Sequence, residues 1–266
     1  MNTQDLKISI IGAGNMGGAI ARGFAKGSLI KTSNIVVSDV SANLLEALKL
    51  EFPEIHTTTS NVAAVKGADV VIVAVKPWIV EKIADEIEKK LDYKNQLLIS
   101  VAAGVDFARM IDLFDSDATL FRVIPNTAID VLQSVTTISA LHATNDQELL
   151  VIQLFNELGK TFFVPESQLN AFMSLSSCGI AYAFRYIRAA MQAGVEMGIH
   201  PQTAKNVVLQ TLRGAIEILE TNGQHPEAEI DKVTTPAGIT IKGLNEMEAN
   251  GFSNAVIKGI IASHLK

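Results

Sequence analysis

The sequence is poor in the groups that most often carry covalent or metal chemistry. Its single cysteine, Cys178, has no second thiol with which to close an intramolecular disulfide. Its histidines, His56, His142, His200, His225 and His264, are scattered, and no Cys/His set has metal-ligand spacing. These absences point to a reduced, cytoplasmic protein without a metal. Charge of one sign never gathers in a block: 28 Asp and Glu against 22 Lys and Arg leave a net charge of -6. That balance lacks the basic footprint of a nucleic-acid binder. No apolar run approaches the ~20 residues of a membrane span, and the apolar start of the chain is shorter than a secretory leader and leads straight into glycines. Neither nucleic acid nor membrane is an expected partner.

What is present suits a globular chain with a sizeable core: 266 residues, 48% of them hydrophobic, enough for one large domain or two modest ones. Short β-rich runs at 7–11, 34–38, 69–75, 96–101, 119–124 and 135–140 alternate with helix-length segments such as 79–91. Strands joined by helical crossovers form a doubly wound, mainly parallel sheet of the Rossmann type, so the expected class is α/β. The run at 69–75 is almost unbroken apolar, as a central strand covered on both faces should be. After 161–164 the strand signals stop. The remainder reads as all helical, with turn signals at 198–201, 222–226 and 234–238. A boundary between Val164 and Pro165 is expected, giving a dinucleotide-binding domain 1–164 and a helical domain 165–266.

Within 169–199 the polar residues Arg185, Arg188, Gln192 and Glu196 follow helical spacing and form a narrow stripe on an otherwise apolar helix. Such a helix is buried on most sides. A helical domain of roughly 100 residues covers it poorly alone, so a homodimer through the C-terminal helices is expected.

Gly12, Gly14 and Gly17 form G-x-G-x-x-G between the first strand and an Ala/Ile helical pattern, the context this motif requires. Gly12 permits the tight turn, Gly14 lets backbone approach a pyrophosphate, and Gly17 lets helix and strand pack closely. The turn Gly12, Ala13, Gly14, Asn15, Met16 and Gly17 then offers helix-start N–H groups to phosphate. Asp39, ~20 residues beyond the motif at the end of the second strand, is placed to accept ribose hydroxyls and to repel a 2'-phosphate, which favours NADH over NADPH. Against that reading stand a plain turn role for Asp39 and a 2'-phosphate contact through Ser38 or Ser41. At the carboxyl end of 69–75, Ala74, Val75, Lys76 and Pro77 line the ligand side of the sheet. The turn 234–238 ahead of the last helical pattern puts amides where a helix start favours an anion.

Taken in order, IGAGNMGGAI, AVKPW, ISVAAGV, RVIPNTA, LSSCGIAYAF and TTPAGITIKGLNEMEANGF make the whole chain resemble the pyrroline-5-carboxylate reductase family. The resemblance implies a Rossmann domain and an intertwined helical dimerisation domain, in some members assembled into larger rings. It implies hydride transfer from NADPH or NADH to the C=N of 1-pyrroline-5-carboxylate, giving L-proline. By position it adds Asn61, Ala102, Ala103 and Asn126 to the cofactor contacts. It makes Cys178, Gly179, Tyr182, Gly238, Ile239 and Thr240 the substrate site, with the Thr240 hydroxyl reaching the ring nitrogen as the catalytic group. The family's usual G-S-G-P-A-Y stands here as Ser177, Cys178, Gly179, Ile180, Ala181, Tyr182, and its S-P-G-G-[TA]-T as Thr235, Pro236, Ala237, Gly238, Ile239, Thr240. These departures keep two alternatives open: a reductase of another cyclic imine, or a non-catalytic dinucleotide-binding regulator.

Two other dehydrogenase classes fit poorly. A β-hydroxyacid dehydrogenase needs a proton-transferring lysine on its long helix, and no lysine lies between Lys160 and Lys205. A short-chain dehydrogenase needs Y-x-x-x-K, and neither Tyr182 nor Tyr186 has lysine at that spacing.

Overall fold

The computed structural model describes residues 3–264. Among them the chain runs β1 (Ile8–Ile11), α1 (Asn15–Lys26), β2 (Ile35–Ser38), α2 (Ala42–Glu51), β3 (His56–Thr58), α3 (Asn61–Val65), β4 (Val70–Val73), α4 (Val80–Ile87), β5 (Leu97–Ser100), α5 (Phe107–Leu113) and β6 (Thr119–Ile124). It continues through β7 (Ser134–Leu141), α6 (Asn145–Asn156), β8 (Gly159–Phe163) and α7 (Leu169–Ser176). These elements form one compact unit that ends at Ser177. Its eight strands make a single sheet in the order β3-β2-β1-β4-β5-β6-β7-β8. The order reverses direction between β1 and β4, and a doubly wound sheet opens its ligand crevice at such a switch, outside the carboxyl ends of the strands.

Strands β1, β4 and β5 read ISII, VVIV and LLIS, and every residue in them is buried. Their β-branched side chains pack on both faces because both are covered. On one face Ile20 and Phe24 of α1 meet Leu154 and Phe155 of α6, with the Phe24 and Phe155 rings edge to face at 5.8 Å. On the other lie Val80, Ile83 and Ile87 of α4 with Phe107 and Met110 of α5.

All pairings are parallel except β6 with β7. The link 125–133 between them is shorter than a helical crossover, so β7 returns antiparallel. β3 was without a sequence signal, being three polar residues, His-Thr-Thr, on the sheet edge.

One expectation is corrected by the structure. The helix expected across 169–199 is two helices, α7 and α8 (Gly179–Glu196), separated at Ser177 and Cys178. Ser174 and Ser176 donate to the carbonyls of Asn170 and Phe172, four residues back, at 2.9 and 2.7 Å. Ser177 Oγ instead donates to the Pro125 carbonyl at 3.2 Å, outside the helix. Hydroxyls that compete for main-chain groups loosen a helix at such a point. The first compact unit correspondingly ends at Ser177, and the second starts at Cys178. Helix α7 belongs with the sheet because Leu169 and Met173 pack on Ile124 and Val164.

The second unit starts at Cys178 and holds α8, α9 (Pro201–Asn222), α10 (Pro226–Lys232), α11 (Ile239–Ala249) and α12 (Phe252–Ala262). α8 and α9 pack closely where Gly194 faces Ala204; a Cβ on Gly194 would lie 3.0 Å from that of Ala204. Gly194 and Ala204 are the only buried residues among those described in this unit. Phe184 is 60% exposed and Ile261 65% in the single chain. Among the described residues of this unit, the other helices therefore do not by themselves cover the apolar face expected to be buried.

Candidate active site

The turn between β1 and α1 has the shape its glycines require. Gly12 adopts φ +103°, in the region that favours glycine, and a Cβ there would sit 2.6 Å from the Ala74 carbonyl oxygen at the end of β4. A Cβ on Gly17 would lie 1.9 Å from the Gly12 oxygen, so only hydrogen fits between helix and strand. Gly14 is exposed and would meet nothing within 4 Å. It is the N-cap of α1 and provides no side-chain cap, leaving first-turn N–H groups available to an anion in the open space. Asn15 is exposed beside it, Ala13 is buried, and half-buried Met16 packs on the core.

Asp39 is half-buried, and both of its oxygens hold backbone. Oδ2 accepts the Ala13 N–H at 2.7 Å, and Oδ1 accepts the Ser41 N–H at 2.8 Å. The carboxylate thus braces the glycine turn from below while closing a turn ahead of α2. Ser38, expected among the ligand contacts, is fully buried: its Oγ donates to Asn61 Oδ1 at 2.8 Å and its carbonyl accepts the Gly12 N–H at 2.7 Å. It supports the turn from within the sheet. Asn61 Nδ2 donates to Glu86 Oε2 at 2.7 Å, so a Ser38, Asn61, Glu86 chain orients the asparagine amide. Glu86, on the solvent face of α4, carries no sequence signal for this task.

The other cofactor candidates lie on the same side of the sheet. Ala74 and Val75 are half-buried, Lys76 is exposed, and Pro77 begins a short 3-10 turn after β4. After β5, Ala102 is buried with its N–H donating to Ser100 Oγ at 3.3 Å, whereas Ala103 and Gly104 are exposed and Gly104 has φ +83°. Asn126 after β6 is turned inward: its N–H donates to Ser134 Oγ at 3.1 Å and its Oδ1 accepts the Ala128 N–H at 3.1 Å. It caps the turn that carries Pro125 towards Ser177.

In the second unit, Gly238 is the N-cap of α11, followed by Ile239 and Thr240, and all lack a side-chain cap. Ile239 is 88% exposed and Thr240 is exposed. The Gly238 N–H donates to the Thr235 carbonyl at 2.9 Å, and the absence of a side-chain cap leaves the amides of Ile239 and Thr240 available. A Cβ on Gly238 would lie 2.6 Å from Thr235 Oγ1, which makes glycine necessary there. Ala237, at the family's glycine position, has φ +61°. Cys178 and Gly179 begin α8, and Tyr182 OH donates to the Gly259 carbonyl at 3.4 Å, tying α8 to α12. Among the described residues no group of His, Cys, Asp and Glu has metal-site geometry, and no helix is long and apolar enough to cross a membrane.

Comparison with known proteins bears on both units. Residues 166–266 match the family description "Pyrroline-5-carboxylate reductase dimerisation", and residues 7–104 match "NADP oxidoreductase coenzyme F420-dependent". Pyrroline-5-carboxylate reductase 1 of Dictyostelium discoideum is 39% identical over 99% of this chain, which spans 49% of that protein's length. Pyrroline-5-carboxylate reductase 2 of the same organism is 36% identical, covering 99% of this chain and 94% of its own. A crystal structure of Plasmodium falciparum pyrroline carboxylate reductase with NADP bound superposes with a TM-score of 0.89 at 26% identity, covering 98% of this chain and 96% of its own.

Proposed function

Because the chain belongs to the pyrroline-5-carboxylate reductase family, we propose that it reduces the C=N bond of 1-pyrroline-5-carboxylate to give L-proline, drawing on NADPH or NADH. The observation that carries this reading is the presence in one chain of two uncapped helix starts fitted to anions, the open Gly14 turn and the Gly238–Thr240 start of α11. The dinucleotide supplies the hydride.

The residues of this chain bind and orient. Amides of the Gly14 turn hold pyrophosphate, and Asp39 keeps that turn in place through the Ala13 N–H. Asp39 also sets a negative charge near the ribose, which favours NADH. Asn61, Ala74, Val75, Lys76, Pro77, Ala102 and Ala103 frame the cofactor along the strand ends. Because the Gly238 N–H is already donated to the Thr235 carbonyl at 2.9 Å, the amides of Ile239 and Thr240 hold the substrate carboxylate beside Gly238, and the Thr240 hydroxyl orients the ring nitrogen, while Cys178, Gly179 and Tyr182 of α8 complete the pocket. A protonated imine is already electrophilic, so holding the reactants in register supplies most of the acceleration. The exposed apolar residues of α8 and α12 support a homodimer through the C-terminal helices. The free Cys178 suits the reducing cytoplasm.

The test follows NADH and NADPH oxidation with pyrroline-5-carboxylate and with its six-membered homologue. Turnover with pyrroline-5-carboxylate is expected. Thr240→Ala should lower kcat/KM by about ten- to a hundredfold, since a hydrogen bond to a charged group contributes ~1.5–3 kcal/mol, and leave dinucleotide affinity unchanged. Tight dinucleotide binding without turnover of either imine would overturn the enzymatic reading in favour of a regulator. Sedimentation as a monomer at micromolar concentration would overturn the dimer.

A further inference from the structure

Glu166 stands where the sheet hands over to α7, in the short 3-10 turn Glu166–Gln168. Its Oε1 accepts two hydrogen bonds, from Arg122 Nη1 at 2.6 Å and from the backbone N–H of Phe107 at 2.8 Å. Arg122 lies within β6, opposite Ser100 of β5 and Ser139 of β7, and its side chain is only 7% exposed. A guanidinium at that depth requires a counter-charge. Glu166 provides it, and the same oxygen fixes an unrelated backbone amide.

The three segments joined at this oxygen all lead to the site. Phe107 opens α5 directly after the Ala102–Gly104 turn, and Asp106, the N-cap of α5, bonds the Arg109 N–H at 2.8 Å. Arg122 sits on the strand that ends in Pro125 and Asn126. Glu166 starts the path into α7, whose far end returns to that strand through Ser177 Oγ and the Pro125 carbonyl. α7 is thus attached at both ends to β6 and its following loop, by side chains distant in sequence.

We propose that Glu166 is a positioning residue for the reaction: through Arg122 and Phe107 it sets the Ala102–Gly104 turn against the dinucleotide and fixes α7 beside the Pro125–Asn126 loop. The proposal rests on the reductase reading for its kinetic consequences but not for its effect on dinucleotide binding. Glu166 touches neither ligand, so its removal should act through geometry, where displacements of about 1 Å are enough to lower rates a hundredfold.

The experiment compares wild type, Glu166→Ala, Glu166→Gln and the double variant Arg122→Leu/Glu166→Leu. Dinucleotide Kd is measured by fluorescence titration, thermal unfolding is followed in parallel, and kcat and KM are measured with pyrroline-5-carboxylate. Glu166→Ala is expected to raise the dinucleotide Kd and the substrate KM by about tenfold or more. Glu166→Gln, whose amide oxygen still accepts from both donors, is expected to recover most of both. The double variant removes the unpaired buried charge and so keeps the fold, yet it should bind dinucleotide as weakly as Glu166→Ala. Variants that melt earlier but keep wild-type Kd and KM would overturn the proposal, as would a double variant with wild-type affinity. Should wild type fail to reduce the imine, the reductase reading falls, while the dinucleotide titrations still decide the role of Glu166.

Discussion

Gly14→Ala separates the cofactor site from the fold. The methyl group would enter space with no protein atom within 4 Å, and Gly14 has φ -66° and ψ -168°, which alanine adopts freely. Restricting the unfolded chain adds about 0.4–1 kcal/mol of stability. Alanine is a poorer N-cap than glycine, which removes about 0.5–1 kcal/mol. The two nearly cancel, so the melting temperature should move by no more than about 2 °C, at the ~2–4 °C per kcal/mol of a chain this size. Binding should respond very differently. A methyl group on the open side of the turn prevents a phosphate from reaching the amides, and each charge-assisted hydrogen bond lost is worth about 1.5–3 kcal/mol. The Kd for NADH and NADPH should therefore rise about ten- to a hundredfold. Gly17→Ala is the contrast: its Cβ would fall 1.9 Å from the Gly12 oxygen, far inside contact distance, so both stability and binding should drop. Fluorescence titration beside thermal unfolding reads both quantities. Wild-type affinity in Gly14→Ala would refute the phosphate-binding role of this turn.

Ala237→Gly should stabilise the chain by about 1 kcal/mol, because Ala237 holds a left-handed backbone at φ +61° that costs an L-residue ~1–2 kcal/mol. A rise in urea midpoint at constant slope checks it, and a fall would show that the alanine is unstrained. Tyr93 governs alkaline stability. Burial, helped by the negative charges of Asp115 and Glu88, pushes its hydroxyl up to about 12. The folded chain thus keeps this proton after the unfolded chain, with a tyrosine near ~10, has lost it. Tyr93's contribution is complete below pH ~10 and disappears as pH rises towards 12. Tyr93→Phe should flatten that part of the stability profile, and an unchanged slope would refute the assignment.

What could be read from the sequence was what short-range constraints decide. β1, β4 and β5 announce themselves because strands covered on both faces must be apolar throughout, and the roles of Gly12 and Gly17 follow from a turn only a few residues long. β3 needed tertiary information: three polar residues become a strand only because β2 presents an edge to them. Asp39 was recognisable as an acid in the right place, but its two backbone partners, 26 residues back and two residues ahead, assign it a bracing task that the motif alone does not reveal.

The stretch SSCG shows why the remaining features escaped. Read locally, Leu169 to Ile199 is one apolar helix, since nothing in Ser-Ser-Cys-Gly forbids helical backbone, and Ser177 and Cys178 do keep helical dihedrals. The interruption coincides with a partner 52 residues away, the Pro125 carbonyl that takes the Ser177 hydroxyl, while ahead of α7 Glu166 ties the chain to Arg122, 44 residues distant. Such contacts make α7 part of the sheet unit and let α8 begin a different one. A short polar run inside an apolar helix is therefore best understood as a joint. Its hydroxyls are committed to carbonyls of the first unit, Ser176 to Phe172 within α7 and Ser177 to Pro125 after β6.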